Sequence, residues 1–294
     1  MLSALENIIA TLLHVEIILG ILGNGFITLV NCIDWFKKRK LSWTDGILTA
    51  LAIARLFLIL TMMVRFMMDF YVVLHLSSQK IILITIAVTI GNHFSVWLAA
   101  GLSIFYFFKI VNFSNPVFIY LKHRVEMVVL VTMLAALVFL PFILAMTSRY
   151  LSIRIQSDGK NMTLSSKWND NEKFVKLILF IVEAFVPFFI SLKFLLLLVF
   201  FLWKHLMNVK TSTTKFRNSS LKIHVTALKI MTSFFFLFAT YFLTCLVTTF
   251  YHEELKNKLV LMLVLTIANA CPSVHSWILI LGSHKLRKAS LCLM

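Results

Sequence analysis

The sequence predicts an all-α membrane protein, a bundle of seven transmembrane helices with its N-terminus outside and its C-terminus cytoplasmic. Three observations lead there: an apolar share of 60% against 14% charged over 294 residues, a mean hydropathy of +0.93, and the division of the apolar residues into seven long runs. Soluble domains sit near half apolar and a quarter charged. The runs cover residues 8–33, 47–68, 79–108, 125–147, 174–203, 230–250 and 259–282. Each is long enough to cross about 30 Å of hydrocarbon as a helix, the conformation in which a chain satisfies its own backbone hydrogen bonds in lipid. The whole chain, 1–294, reads as one domain, with an outer loop at 148–173 and an inner loop at 204–224. Residues 1–7 carry no basic segment, so the first run is expected to stay as a signal anchor.

Orientation comes from the basic residues. Segments 34–46, 109–124, 204–224 and 283–294 hold fifteen Lys and Arg, whereas the short connections on the other side hold four. Short loops rich in Lys and Arg stay cytoplasmic. Of three Asn-X-Ser/Thr sequons, at Asn112, Asn161 and Asn218, this topology puts only Asn161 outside, where it is the expected glycosylation site. A formal net charge of +16 would suggest nucleic acid in a soluble protein. Here the charge clusters between apolar runs, so anionic lipid headgroups and acidic protein partners fit it better than nucleic acid. The four cysteines, Cys32, Cys245, Cys271 and Cys292, fall within the runs or at their inner ends, which leaves none to clamp the outer loops. Cys292 is either palmitoylated or a plain thiol.

Polar groups at membrane depth mark function or interhelical bonding. Asn24, Arg55, His275 and Ser276 read as a structural and activation network that ties runs one, two and seven together. The third run carries a polar stripe: Thr85, Thr89, Asn92, Ser95 and Ser103 fall within about 120° at 100° per residue. Such a stripe faces a wet cavity or a neighbouring helix, and the outward-opening cavity is the favoured reading. In the fifth run Glu183 precedes Pro187 by one turn. Its carboxyl suits a cationic ligand, an internal base or a hydrogen-bonded protonated state, while Pro187 frees a carbonyl one turn back and bends the helix. No catalytic or metal-binding motif occurs, so no enzyme and no cofactor is expected. The absence of Lys between Lys258 and Lys285 removes a retinal Schiff base in the last run.

Several segments together resemble the type 2 (bitter) taste receptors, seven-helix G protein-coupled receptors. They are Gly-Asn-Gly-Phe-Ile-Thr-Leu-Val-Asn-Cys-Ile-Asp-Trp at 23–35, Leu-Ala-Ile-Ala-Arg-Leu at 51–56 and Leu-Ser-Ile-Phe-Tyr-Phe-Phe-Lys-Ile-Val-Asn-Phe-Ser at 102–114. Further along come Leu-Trp-Lys-His at 202–205, Ala-Leu-Lys at 227–229 and His-Ser-Trp-Ile-Leu-Ile-Leu-Gly-Ser-His-Lys-Leu at 275–286. The resemblance implies a plasma-membrane receptor for bitter small-molecule agonists, bound in the outer half between runs three, five, six and seven. The residues it points to are Val88, Thr89, Asn92, His93, Glu183, Tyr241 and Leu265. It also implies a gustducin-type heterotrimeric G protein as partner, at a face containing Tyr106, Lys109, Lys204, His205 and Lys229. Where many relatives carry a Trp one turn before the helix 3 Asn, this chain has Val88. A vomeronasal type 1 pheromone receptor is the alternative among receptors, and a seven-span transporter the alternative from another class; a transporter predicts an internal repeat that the chain lacks.

Overall fold

The computed structural model describes residues 4–38, 42–70, 78–111, 116–158, 170–209, 217–251 and 257–291. Among the described residues no strand occurs, and seven helices are long and apolar enough to cross a membrane. The helices are α1 (Ala4–Lys38), α2 (Trp43–Phe70), α3 (Ser78–Ile110), the short α4 (Pro116–His123) and α5 (Val125–Asp158). They continue with α6 (Asp170–Phe180), a π-helical turn (Ile181–Phe185), α7 (Val186–Val209), α8 (Arg217–Phe250), α9 (Lys258–Gly282) and α10 (His284–Leu291). The fifth span is therefore composite, made of α6, the wide turn and α7.

Several helices outrun their apolar stretches. Helix α5 continues to Asp158, into the segment read as outer loop from residue 148, and α7 continues to Val209, past the start of the inner loop at 204. Once a helix is nucleated, each further residue adds a backbone bond, so helical structure continues beyond the hydrocarbon into polar sequence. Asn161 lies outside the described residues.

The exterior carries large apolar side chains, among them Leu22, Val138, Leu196, Phe236 and Leu281, all exposed. A soluble protein buries such groups; a lipid-facing wall presents them. Inside lie small and aromatic residues, with one cluster centred on Leu51, Ala52, Ala99, Phe188 and Phe238 and another on Phe108, Leu195, Leu198 and Met231.

Close contact between α1 and α9 depends on glycine. A Cβ at Gly20 would lie 2.5 Å from Ser273 Oγ, and one at Gly23 would lie 3.1 Å from Ser276 Cβ and 3.2 Å from Trp277 Nε1. Gly20 and Gly23 facing Ser273 and Ser276 form a small-residue seam of the kind that lets membrane helices approach backbone to backbone. Two hydrogen bonds lock it: Asn24 Nδ2 donates to the Pro272 carbonyl at 3.2 Å, and Trp277 Nε1 to the Leu19 carbonyl at 3.1 Å. Similar bonds join other pairs. Arg65 donates to Thr85 (α2 to α3, 3.0 Å), Asn31 to Thr49 (α1 to α2, 3.0 Å) and Lys109 to Thr44 (α3 to α2, 3.2 Å). With no hydrophobic drive between helices in lipid, close packing and such bonds hold the bundle.

Beyond the last span, Ser283 has an extended backbone and α10 starts at His284. Lys285 on α10 reaches back to Asp34 Oδ2 at 2.9 Å, Asp45 Oδ2 at 3.0 Å and Asn31 Oδ1 at 2.9 Å. Burial alone would lower the Lys285 pKa, but the bonds to Asp34 and Asp45 outweigh it and hold the ammonium above its ordinary 10.5. A raised lysine contributes its stability in full below the ordinary value and loses it as pH rises through the folded one. Docking of α10 is therefore expected to be flat between about pH 6 and 9. Lys285→Met, which leaves two carboxylates without their shared cation, is expected to lower thermal stability by about 1 kcal/mol, since all three groups are partly solvated; the unfolding midpoint of purified receptor is the readout.

Candidate functional site

On the inward face of α3, Asn92 is the centre of a three-helix hydrogen-bond set. Its Nδ2 donates to Glu183 Oε2 at 3.2 Å, and its Oδ1 accepts from the Tyr241 hydroxyl at 2.6 Å. A side-chain amide suits this place because it donates and accepts at once. The set joins α3, the fifth span and α8 by side chains 91 and 149 residues apart in sequence.

The position of Glu183 follows from Pro187. A proline has no N–H for the carbonyl four residues back, and its ring crowds that carbonyl. Here the helix answers by widening: Val186 N–H bonds to the Ile181 carbonyl, five residues back, across the turn Ile181–Phe185. Glu183 sits in the middle of this π-turn, a form that recurs at functional sites. Its Oε1 is buried without a hydrogen-bond partner.

Beside the amide is a cavity of about 220 Å³ walled by α2, α3, α8 and α9. Val88, Asn92, Tyr241 and Leu265 line it, together with Ser95 and Thr244. The resemblance implied a ligand site between spans three, five, six and seven; this cavity has span two in place of span five, through Arg55, Leu58 and Met62. Aromatic packing explains the exchange. Phe188 of α7 stacks on Phe242 of α8 with centroids 4.3 Å apart and planes 7° from parallel, and also meets Phe238 edge-on at 5.6 Å. These rings fill the space on the fifth-span side.

Three of the seven residues indicated by the resemblance do not line the cavity. Glu183 stands behind Asn92 and is reached through it. Thr89 turns its hydroxyl back to the Thr85 carbonyl at 2.9 Å. His93, with 0% exposure, points the other way, its Nε2 donating to the Ala136 carbonyl of α5 at 2.9 Å. At 100° per residue, His93 and Asn92 occupy different faces of α3. Next to His93, Trp97 stacks on Phe139 with centroids 5.9 Å apart. The polar stripe accordingly divides: Thr85 bonds Arg65, Asn92 and Ser95 face the cavity, and Ser103 bonds the Ala99 carbonyl at 3.1 Å.

The four network residues meet across α1, α2 and α9. Arg55 Nη1 donates to His275 Nδ1, Asn24 bonds Pro272 and Ser276 packs against Gly23. Ser276 Oγ donates to the Ser273 carbonyl at 2.7 Å. The His275 ring lies 4.5 Å from that of Phe234, which stacks on Phe238, which in turn stacks on Tyr241. A continuous aromatic column thus connects the Asn92 set with the Arg55–His275 pair.

At the end of the bundle opposite the N-terminus, Lys109, Lys204 and Lys229 are exposed, and Tyr106 is half-buried. Lys109 also lies over the Phe105 ring at 5.4 Å. The side chain of His205 lies outside the described residues. Sequence reasoning passed over the acceptors for Lys285; Asp34 and Asp45 flank the basic segment Lys37–Lys40, which was the available signal. Among the described residues no group of three or more His, Cys, Asp or Glu is arranged to hold a metal ion.

Comparison with known proteins agrees with this architecture. The family described as taste receptor protein (TAS2R) matches residues 1–294. Taste receptor type 2 member 14 of Pongo pygmaeus is 41% identical over 295 residues, covering 99% of this chain and 92% of its own length. The protein of the same name from Homo sapiens is 40% identical over the same shares. Taste receptor type 2 member 140 of Rattus norvegicus is 41% identical over 286 residues, with 96% of this chain and 91% of its own length covered. Relatives of this kind are receptors rather than enzymes. With a match over its whole length and seven spans of the required kind, the chain belongs to the type 2 taste receptors, the bitter-sensing family of G protein-coupled receptors.

Proposed function

We propose that the chain is a plasma-membrane receptor, N-terminus outside, that binds bitter small molecules in the cavity beside Asn92 and activates a gustducin-type G protein at its basic cytoplasmic face. The observation that carries the reading is Asn92 held between Glu183 and Tyr241 at the edge of an otherwise mainly apolar cavity. Small-molecule sites combine apolar walls with a few fixed polar groups. Val88 and Leu265 supply wall, Asn92 and Tyr241 supply orientation, and Glu183 sets the direction of the amide from behind. Thr89 and His93 act on the shape of α3. Tyr106, Lys109, Lys204, His205 and Lys229 belong to the face that meets the G protein, and the same basic surface is drawn to anionic lipid.

A ligand activates only as far as it prefers the active arrangement. The aromatic column Tyr241, Phe238, Phe234 and His275 offers a packed route from the cavity to the Arg55–His275 pair. The test is intracellular calcium in cells expressing the chain with a gustducin-type chimeric G protein, challenged with a panel of bitter compounds. A G protein-dependent response is expected. Tyr241→Phe, which deletes one hydroxyl, is expected to right-shift it by about 5- to 10-fold, the worth of roughly 1 kcal/mol. A response that persists without the G protein, or silence across the panel with the receptor at the surface, overturns the reading. Asn161 is the glycosylated site in this topology: a glycosidase-sensitive mobility shift is expected in the parent chain and not in Asn161→Gln.

A further inference from the structure

The inner end of the cavity carries a charge with which no carboxylate among the described residues forms an ion pair. Arg55, twelve residues into α2 and so about 18 Å along it, is 2% exposed and lines the cavity beside Leu58, Ala99 and Cys271. Its Nη1 is engaged by His275, but its Nε is buried with no hydrogen-bond partner. Among the described residues no carboxylate pairs with it. Glu183 is bonded to Asn92 and does not line the cavity, and neither does Glu16 of α1. A guanidinium keeps its proton in proteins, so the positive charge remains, and a buried charge without partner is costly.

The edge of the group that carries the unpaired Nε has a specific shape. Nε and Nη2 form the side-on edge of the guanidinium, the edge that accepts a planar carboxylate through two parallel bonds. Toward Asn92 the walls are apolar, with Val96, Phe238 and Leu265 among them. A molecule that satisfies both ends has an anionic head and a small apolar body.

We infer that the inner end of this cavity is an anion site, in which Arg55 binds the carboxylate of a small acidic molecule whose apolar body extends toward Asn92. The inference rests on the cavity being the ligand site only for its signalling consequence; binding at Arg55 is measurable without it. Benzoate is the probe, benzamide its neutral match, and chloride the inorganic alternative. They are compared on detergent-purified full-length receptor at neutral pH, with sodium gluconate, too polar for the apolar walls, keeping ionic strength constant.

Benzoate is expected to raise the thermal unfolding midpoint by about 3 °C or more at saturating concentration, and benzamide to leave it unchanged. Arg55→Gln is expected to abolish the gain. Because that change also removes the bond to His275, a second variant, Cys271→Asp, keeps Arg55 and places a carboxylate on the wall beside it; folded Cys271→Asp receptor is expected to be indifferent to benzoate. Equal shifts from benzoate and benzamide, no shift from benzoate, or a benzoate shift that persists in Cys271→Asp, overturn the inference. An Arg55-dependent gain from chloride with none from benzoate assigns the site to inorganic anions and overturns the carboxylate assignment. Failure of the receptor reading shows separately, as stabilisation by benzoate in a chain that gives no G protein-dependent calcium response to any compound.

Discussion

Replacing Asn92 with leucine is expected to right-shift agonist response by about 100-fold or more, at near-normal surface expression. Leucine matches the amide in size but neither donates nor accepts. Glu183 Oε2 and the Tyr241 hydroxyl lose the bonds of 3.2 Å and 2.6 Å that fix them. Since Glu183 Oε1 already has no partner, the change leaves the whole carboxyl without a donor. The ligand loses a partner that both donates and accepts, and a buried polar group left unsatisfied in the complex costs about 1–3 kcal/mol; with donor and acceptor both gone the cost lies at the upper end, about two decades in affinity. The α1–α9 seam and the Arg55–His275 pair are untouched, so the bundle still assembles. Concentration-response curves for calcium, beside flow cytometry of surface receptor, provide the check. An unchanged midpoint at equal surface level would remove Asn92 from ligand recognition.

Gly23→Leu is expected to remove at least nine-tenths of surface receptor, whereas Gly25→Leu, two residues on, is expected to leave most of it. The contrast is geometric. A Cβ at Gly23 already meets Ser276 Cβ at 3.1 Å and Trp277 Nε1 at 3.2 Å, while a Cβ at Gly25 has nothing within 4 Å. Leucine at 23 must push α1 away from α9, and with it go the bonds from Asn24 to Pro272 and from Trp277 to Leu19. Overpacking costs about 1–3 kcal/mol by itself, and the two interhelical bonds add to it. Flow cytometry with an N-terminal epitope measures both variants. Equal surface levels would mean that the first and last spans need not touch for export.

The seven spans were legible because hydrocarbon imposes a length and a composition that few other structures share. That Asn92, Tyr241, Val88 and Leu265 line one cavity was within reach for a related reason: a polar stripe on one apolar helix marks an inward face, and the family resemblance supplied the other residues. What periodicity could not supply was the facing of uniformly apolar helices. Leu58 and Met62 of α2 are apolar themselves, and although Arg55 shares their face, nothing local says whether that face meets a cavity or a neighbouring helix. His93 shows the opposite difficulty. It is polar and adjacent to Asn92, yet its partner is a backbone carbonyl of α5, and every residue has one, so composition gives no sign of it. Arg55 was read only as one member of a network tying runs one, two and seven together; it bonds His275, but its place on the cavity wall depends on the tilt of α2, which no local pattern encodes. The Lys285 cluster joins residues about 250 positions apart, and only the docking of α10 brings them together.

The wide turn at Ile181–Phe185 makes the fifth span two helices with separate phase. One extra residue in a turn rotates everything beyond it by about 100°, so the face that α6 shows to the binding end and the face that α7 shows to the opposite end are set independently. Deleting one residue inside the turn would re-clock one half against the other without changing a single side chain in either. The outer half of the span can therefore be re-aimed about Glu183 while Phe188 and the rest of α7 keep their packing against α8.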